Sequence, residues 1–181
     1  MTLQTVLPVA GTTILVDWAA DVIADLTDHE DRVGDLEALV AADILLAVKT
    51  GDETVNNSAT LQDDDHLSVT VAANSVYILR HEWVYNTGAT PDLKSKFVVP
   101  SGTTMLYWTN ASISTHAASA QTEASTVIYD GDGGDVLVTT VARVVTGSTA
   151  GTLKWQWAQN TANASNTVVR GAGILVLFKV S

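Results

Sequence analysis

Asp63, Asp64, Asp65 and His66 follow one another in the chain, and oxygen-rich runs of this kind can hold divalent cations. In an extended segment neighbouring side chains point to opposite faces. Only Asp64 with His66, or Asp63 with Asp65, could therefore share an ion. Calcium takes six or more oxygens, so the expected role of this run is the solvated start of a strand, and no metal site is assigned. The run Asp130-Gly131-Asp132-Gly133-Gly134-Asp135 has the look of a calcium loop. An EF-hand places a bidentate Glu at its twelfth position, which is Val141 here, so this run is expected to be a flexible hairpin tip. The four histidines, His29, His66, His81 and His116, lack the i, i+4 spacing of a ligand pair, and there is no cysteine. No Gly-x-Ser-x-Gly elbow and no Gly-rich phosphate loop occurs. Residues 67–181 hold six carboxylates, too few to pick out a glycosidase pair from sequence. The reading is a non-enzyme with no cofactor.

Aromatic residues are the better lead. Trp83, Tyr85, Tyr107, Trp108, Trp155 and Trp157 fall in segments of strand character, and aromatic platforms bind sugar rings. Trp108, Trp155 and Trp157 are the candidate glycan or interface aromatics. Trp155 and Trp157 share parity with Leu153, which favours a core or subunit-interface role for them.

The elements that would carry these residues read as follows. From residue 67 onward, β-branched and aromatic segments alternate with turn signals. Leu67, Val69 and Val71 alternate with small polar residues, and runs at 75–85, 93–99, 103–109, 125–129, 135–146, 152–159, 167–170 and 174–180 follow. Eight or nine strands with frequent turns indicate a β-sandwich or barrel. The run at 174–180 is apolar on both parities apart from Lys179, as though its outer face were covered by a neighbour, a loop or the N-terminal helix.

Ahead of the strands lies a heptad pattern. Val22, Leu26, His29, Val33, Leu36 and Val40 are spaced alternately by four and three, and the charged residues between them fall off that seam. The pattern predicts a helix over 17–40, roughly 36 Å long at about 1.5 Å per residue, which residues 41–48 could continue. Gly34 and His29 weaken the seam, so something downstream must hold copies together if it forms a coiled coil. Residues 1–16 read as an extended arm with one short strand at 12–16.

The net charge of −11 is uneven. Residues 1–66 hold 14 acidic and 2 basic residues, whereas residues 67–181 hold 6 and 7. Without a basic patch, nucleic acid is a poor partner. No signal peptide is recognisable, and no apolar run is long enough to span a bilayer. A soluble chain made in a cytoplasm is expected.

Three blocks resemble virion proteins of tailed phages. The segment PVAGTTILVDW at 8–18, followed by DRVGDLE at 31–37, resembles the N-terminal attachment segment of phage fibre and appendage proteins. LQDDDHL at 61–67 and GTLKWQWAQN at 151–160 resemble segments of virion proteins of actinobacterial phages. The resemblance implies a homotrimeric virion surface protein with a docking arm, a helical stalk and a β head.

The expected fold is mainly β: a C-terminal jelly-roll-like antiparallel β-sandwich, preceded by an extended N-terminal arm and a short coiled-coil-like helix. The expected division is 1–54, arm and stalk for attachment and trimerisation, and 55–181, head. The trimer interface is assigned to Val22, Leu26, His29, Val33, Leu36, Val40, Leu175 and Leu177. The expected function is capsid decoration, with the major capsid protein or another virion protein bound through residues 1–40. The alternative is a receptor- or glycan-binding tip on a tail or head fibre.

Overall fold

The computed structural model describes residues 14–112 and 120–181. Residues 1–13 of the expected arm, with the first two positions of the expected strand at 12–16, and His116 lie outside the described residues. The chain divides into two compact units, 1–42 and 43–181.

The first unit carries the helix α1 (Ile14–Asp43). It begins before Asp17, so residues 14–16 are helical rather than extended. From residue 20 to 37 every side chain is exposed, Val22, Leu26, Val33 and Leu36 included. The helix ends where the apolar run 44–48 begins. That run does not continue the helix: Ile44–Val48 is strand β1. β-Branched residues at both of its ends and pairing along its whole length to the last strand override the helical reading.

In the second unit β1 is followed by β2 (Glu53–Val55), β3 (Gln62–Val71), β4 (Val76–Asn86), β5 (Leu93–Val98), β6 (Thr104–Ala111), β7 (Gln121–Thr122), β8 (Val127–Tyr129), β9 (Asp135–Val145), β10 (Gly151–Gln159), β11 (Thr167–Val169) and β12 (Ile174–Lys179). All pairings among the described residues are antiparallel. Four pairs nest inside one another: β6 with β7, β5 with β8, β4 with β9, β3 with β10. This long four-pair ribbon is rolled so that β9 also meets β6 and β10 also meets β5. The result is two sheets, β3-β10-β5-β8 and β4-β9-β6-β7, which is the jelly roll. The second sheet is widened beyond β4 by β12 and then β1, while β11 and β2 extend it at the other end of β4. β1 and β2, expected in the N-terminal part, belong to the sandwich.

The core between the sheets follows strand alternation. Tyr77, Leu79, His81, Trp83 and Tyr85 enter it from β4, Leu153, Trp155 and Trp157 from β10, Leu175 and Leu177 from β12. Aromatic rings fill its centre. The Trp83 and Trp155 centroids lie 4.4 Å apart, and Tyr129 meets Trp83 edge-on at 5.2 Å. Offset and edge contacts of this kind add to the burial of large apolar area.

Candidate functional sites

Two surfaces and one buried cluster stand out. The first surface is the stripe on α1. Leu26 is 60 % exposed and Leu36 61 %. Leu26, Val33 and Gly34 line a shallow hollow with His29, Glu30 and Glu37. His29 is exposed as well, and its Nδ1 lies 2.8 Å from the Asp25 backbone oxygen. The seam's Val40 lies at a position whose side chain is outside the described residues.

The second surface is the outer face of the larger sheet. Register aligns Ile44, Phe178, Ile78, Arg143 and Leu106 in one row, and Leu46, Val176, Arg80, Val141 and Trp108 in the next. Nine apolar side chains on this face, Val48 and Leu137 among them, are 39–59 % exposed. Together they expose on the order of 800 Å², about what one partner contributes to a stable protein interface. The smaller sheet presents the opposite character. Its outer rows are Ser68, Lys154 and Val98, then Asp63, Gln156 and Lys96. Asp63 accepts from Lys154 Nζ at 2.6 Å and from Gln156 Nε2 at 2.7 Å. Those two donors, Lys154 first, hold its carboxyl below the usual range.

Leu175 and Leu177 are not on the apolar surface. Both are fully buried in the sandwich, so the side chains that β12 directs to the outer face are Ile174, Val176 and Phe178. The two-sided hydrophobicity of this strand was legible, but parity alone does not say which side is inside. Trp155 and Trp157 are likewise enclosed, at 1 % and 0 % exposure, and present no sugar platform. Trp108, at 45 %, is the one of the three at the surface.

The loop 130–134 is tied down rather than loose. Tyr85 Oη donates to the Asp130 carbonyl at 2.5 Å, Gly131 N donates to Asp92 Oδ1 at 3.1 Å, and Gly133 N donates to the Thr87 carbonyl at 3.0 Å. Gly131 sits where a Cβ would lie 2.5 Å from two backbone oxygens.

The buried cluster is built on a bulge. Between Lys154 and Gln156 on β10, the partner register on β3 jumps from Ser68 to Asp63. The extra residues shift the alternation, so Asp64 and Leu67 both point inward. Asp64 Oδ1 accepts from the backbone N–H of His66 and of Leu67, each at 3.0 Å. Asp64 Oδ2 accepts from Lys49 Nζ at 2.7 Å, and both side chains have zero exposure. Lys49 follows β1, and its backbone N–H donates to the Gly173 carbonyl at 2.8 Å. Lys49 Nζ also donates to Glu53 Oε1, at the start of β2. Glu53 Oε1 further accepts from Asp65 N at 3.0 Å and lies 3.3 Å from His66 Nδ1.

Ligand atoms of Glu53, Asp64 and His66 lie within 4.8 Å of one another. Asp64 and His66 do come together, but Asp64 is buried rather than part of a solvated strand start. What adjacency in sequence could not reveal is Lys49, whose ammonium is already the cation on both carboxylates. The cluster is an ion pair joining β1 and β2 to β3.

No family model matches this chain, and no curated protein matches it. Among solved structures it is similar to the tripod (BppUct-A-L) from the baseplate of bacteriophage Tuc2009, at 10 % identity and a TM-score of 0.31, over 98 % of this chain and 75 % of that one. At that TM-score the likeness assigns neither fold nor function.

Proposed function

We propose that the chain is a non-enzymatic structural protein of a phage virion: a homotrimeric decoration protein on the capsid exterior, attached through residues 1–40. The observation that carries the assembly part is the contrast between the two outer faces of the sandwich. One face is paired and polar; the other exposes nine apolar side chains around Arg80 and Arg143, an area that suits an interface. The unaccompanied stripe on α1 supports the same reading, since a helix exposed on all sides gains little without a partner. The virion part rests on the likeness of residues 8–18, 31–37, 61–67 and 151–160 to phage virion segments. The interface residues of this reading are Val22, Leu26, Val33 and Leu36 on the helix, and Leu46, Ile78, Val176 and Phe178 on the sheet.

Sedimentation equilibrium of the full chain at micromolar concentration tests the assembly. The expected mass is three chains, falling to one in a Leu46→Lys, Val176→Glu double variant that keeps its β-sheet circular dichroism. A monomeric wild type ends the assembly reading. For attachment, removal of residues 1–40 is expected to abolish binding to purified particles.

One observation favours a second reading. Trp108 is half-exposed beside Val141, with Arg143 and Asn110 nearby on the same face, and such a ring could stack on a sugar in a receptor-binding tip. Glycan-array binding lost in Trp108→Ala, with the fold kept, would favour that reading over decoration.

A further inference from the structure

A buried amine in contact with a buried carboxyl group is a pair of reactants as well as a pair of charges. Lys49 and Asp64 have no solvent exposure, and Nζ stands 2.7 Å from Oδ2. The other Asp64 oxygen, Oδ1, is held by two backbone N–H groups at 3.0 Å each. That is the arrangement that stabilises a tetrahedral oxyanion at an acyl carbon. A second carboxylate, Glu53, accepts a hydrogen bond from the same Nζ. One of its oxygens lies within 4.8 Å of an oxygen of Asp64. Nucleophile, electrophile, oxyanion donors and a proton carrier are thus gathered around one bond, with the two reacting side chains out of water and Glu53 at the edge of the site.

We infer that Lys49 and Asp64 condense into an intramolecular isopeptide bond, with Glu53 as the catalytic residue. One ammonium proton moves along the Nζ–H···Oδ2 hydrogen bond, which leaves a neutral amine facing a neutral carboxyl group. Nζ then attacks Cγ, and the negative charge gathers on Oδ1 between the N–H groups of His66 and Leu67. Glu53 takes a proton from the nitrogen and delivers it to Oδ2. The Cγ–Oδ2 bond breaks, and one water leaves. Nζ keeps one of its three protons, the water carries the other two, and Glu53 ends as it began. No oxidant, metal or cofactor enters the balance. His66 Nδ1, 3.3 Å from Glu53 Oε1, is a positioning group. Holding the reacting atoms in contact within a rigid bulge provides the proximity that amide formation in free solution lacks.

The test is the intact mass of the full chain, followed by peptide mapping. Wild-type protein is expected to weigh one water less than its sequence, with the deficit in a branched peptide joining the segments around Lys49 and Asp64. E53Q keeps the shape of the site and is expected to fold and to retain the full sequence mass. K49M is expected to retain it also. A folded wild type at full sequence mass overturns the proposal. So does a water deficit that maps elsewhere, such as a succinimide at Asp130-Gly131 or Asp132-Gly133. A linked E53Q removes Glu53 from the catalytic role. None of these outcomes depends on assembly or on attachment to a particle.

Discussion

His81 brings both ring nitrogens into the core without a hydrogen-bond partner. Trp155 meets its ring edge-on at 4.9 Å, Trp83 stacks on it at 5.9 Å and Phe97 lies at 5.7 Å. Burial alone pulls its pKa down to about 3, against about 6.5 in an unfolded chain. Because the folded value is the lower one, the stability from its neutral form is complete above pH 6.5 and is lost as pH falls toward 3. Between pH 6.5 and 4.5 the loss is roughly 2–3 kcal/mol. Urea titrations at the two pH values should show it, and His81→Leu should flatten the difference. The carboxylates whose pKa is lowered, Asp52 by the Gly171 N–H and Arg170, Asp63 by Lys154 and Gln156, and Asp135 by Arg170 and Asn86, act in a separate window below their usual range. Two tryptophans provide a second contrast. Trp155→Ala should cost about 3–5 kcal/mol through the cavity it leaves, whereas Trp108→Ala should change the stability of the single subunit by less than about 1 kcal/mol. The core role of Trp155 and Trp157 could be read from their shared parity with Leu153. The inward turn of Asp64 could not, because a bulge in β3 resets the alternation, and its partner Lys49 comes from a segment that reads as helix.

At the level of elements, the helix and the sheets were legible to different degrees. Alternation at 67–71 and 152–159 marked the buried face of β3 and β10 directly. The heptad spacing located α1, whose residues 20–37 are exposed on every side. The boundary at β1 was illegible because Ile44–Val48 is apolar throughout, which suits a buried helix turn and a strand equally. Only pairing with β12, far along the chain, decides it. Gly34 offers a test of the helix by itself. A Cβ there meets nothing within 4 Å, so Gly34→Ala should favour the helix by about 1 kcal/mol. The helical circular dichroism should then melt at a higher temperature. Leu26→Gln should leave the intrinsic propensity nearly unchanged and lower that melting temperature only if the stripe is covered by another chain.

For the molecule as a whole, charge and apolar surface are segregated. Acidic residues crowd the helix, while the broad apolar face lies on the sandwich. Composition revealed the first of these and only the register of five strands reveals the second, since Ile44, Phe178, Ile78 and Leu106 are scattered over the sequence and meet in one row. The nested ladder has a consequence for synthesis. β1 closes on β12 and β3 on β10, so the earliest strands of the sandwich find their partners among its last. The helix precedes all of them in the chain, and its hydrogen bonds are local. A nascent chain can therefore display a finished helix while its sandwich waits for β12, and acquisition of the β signature in refolding should be slow, as expected of long-range pairing. Ending the chain before Ile174 should leave β1 without the strand it pairs with among the described residues, and the product should be protease-sensitive from residue 43 onward.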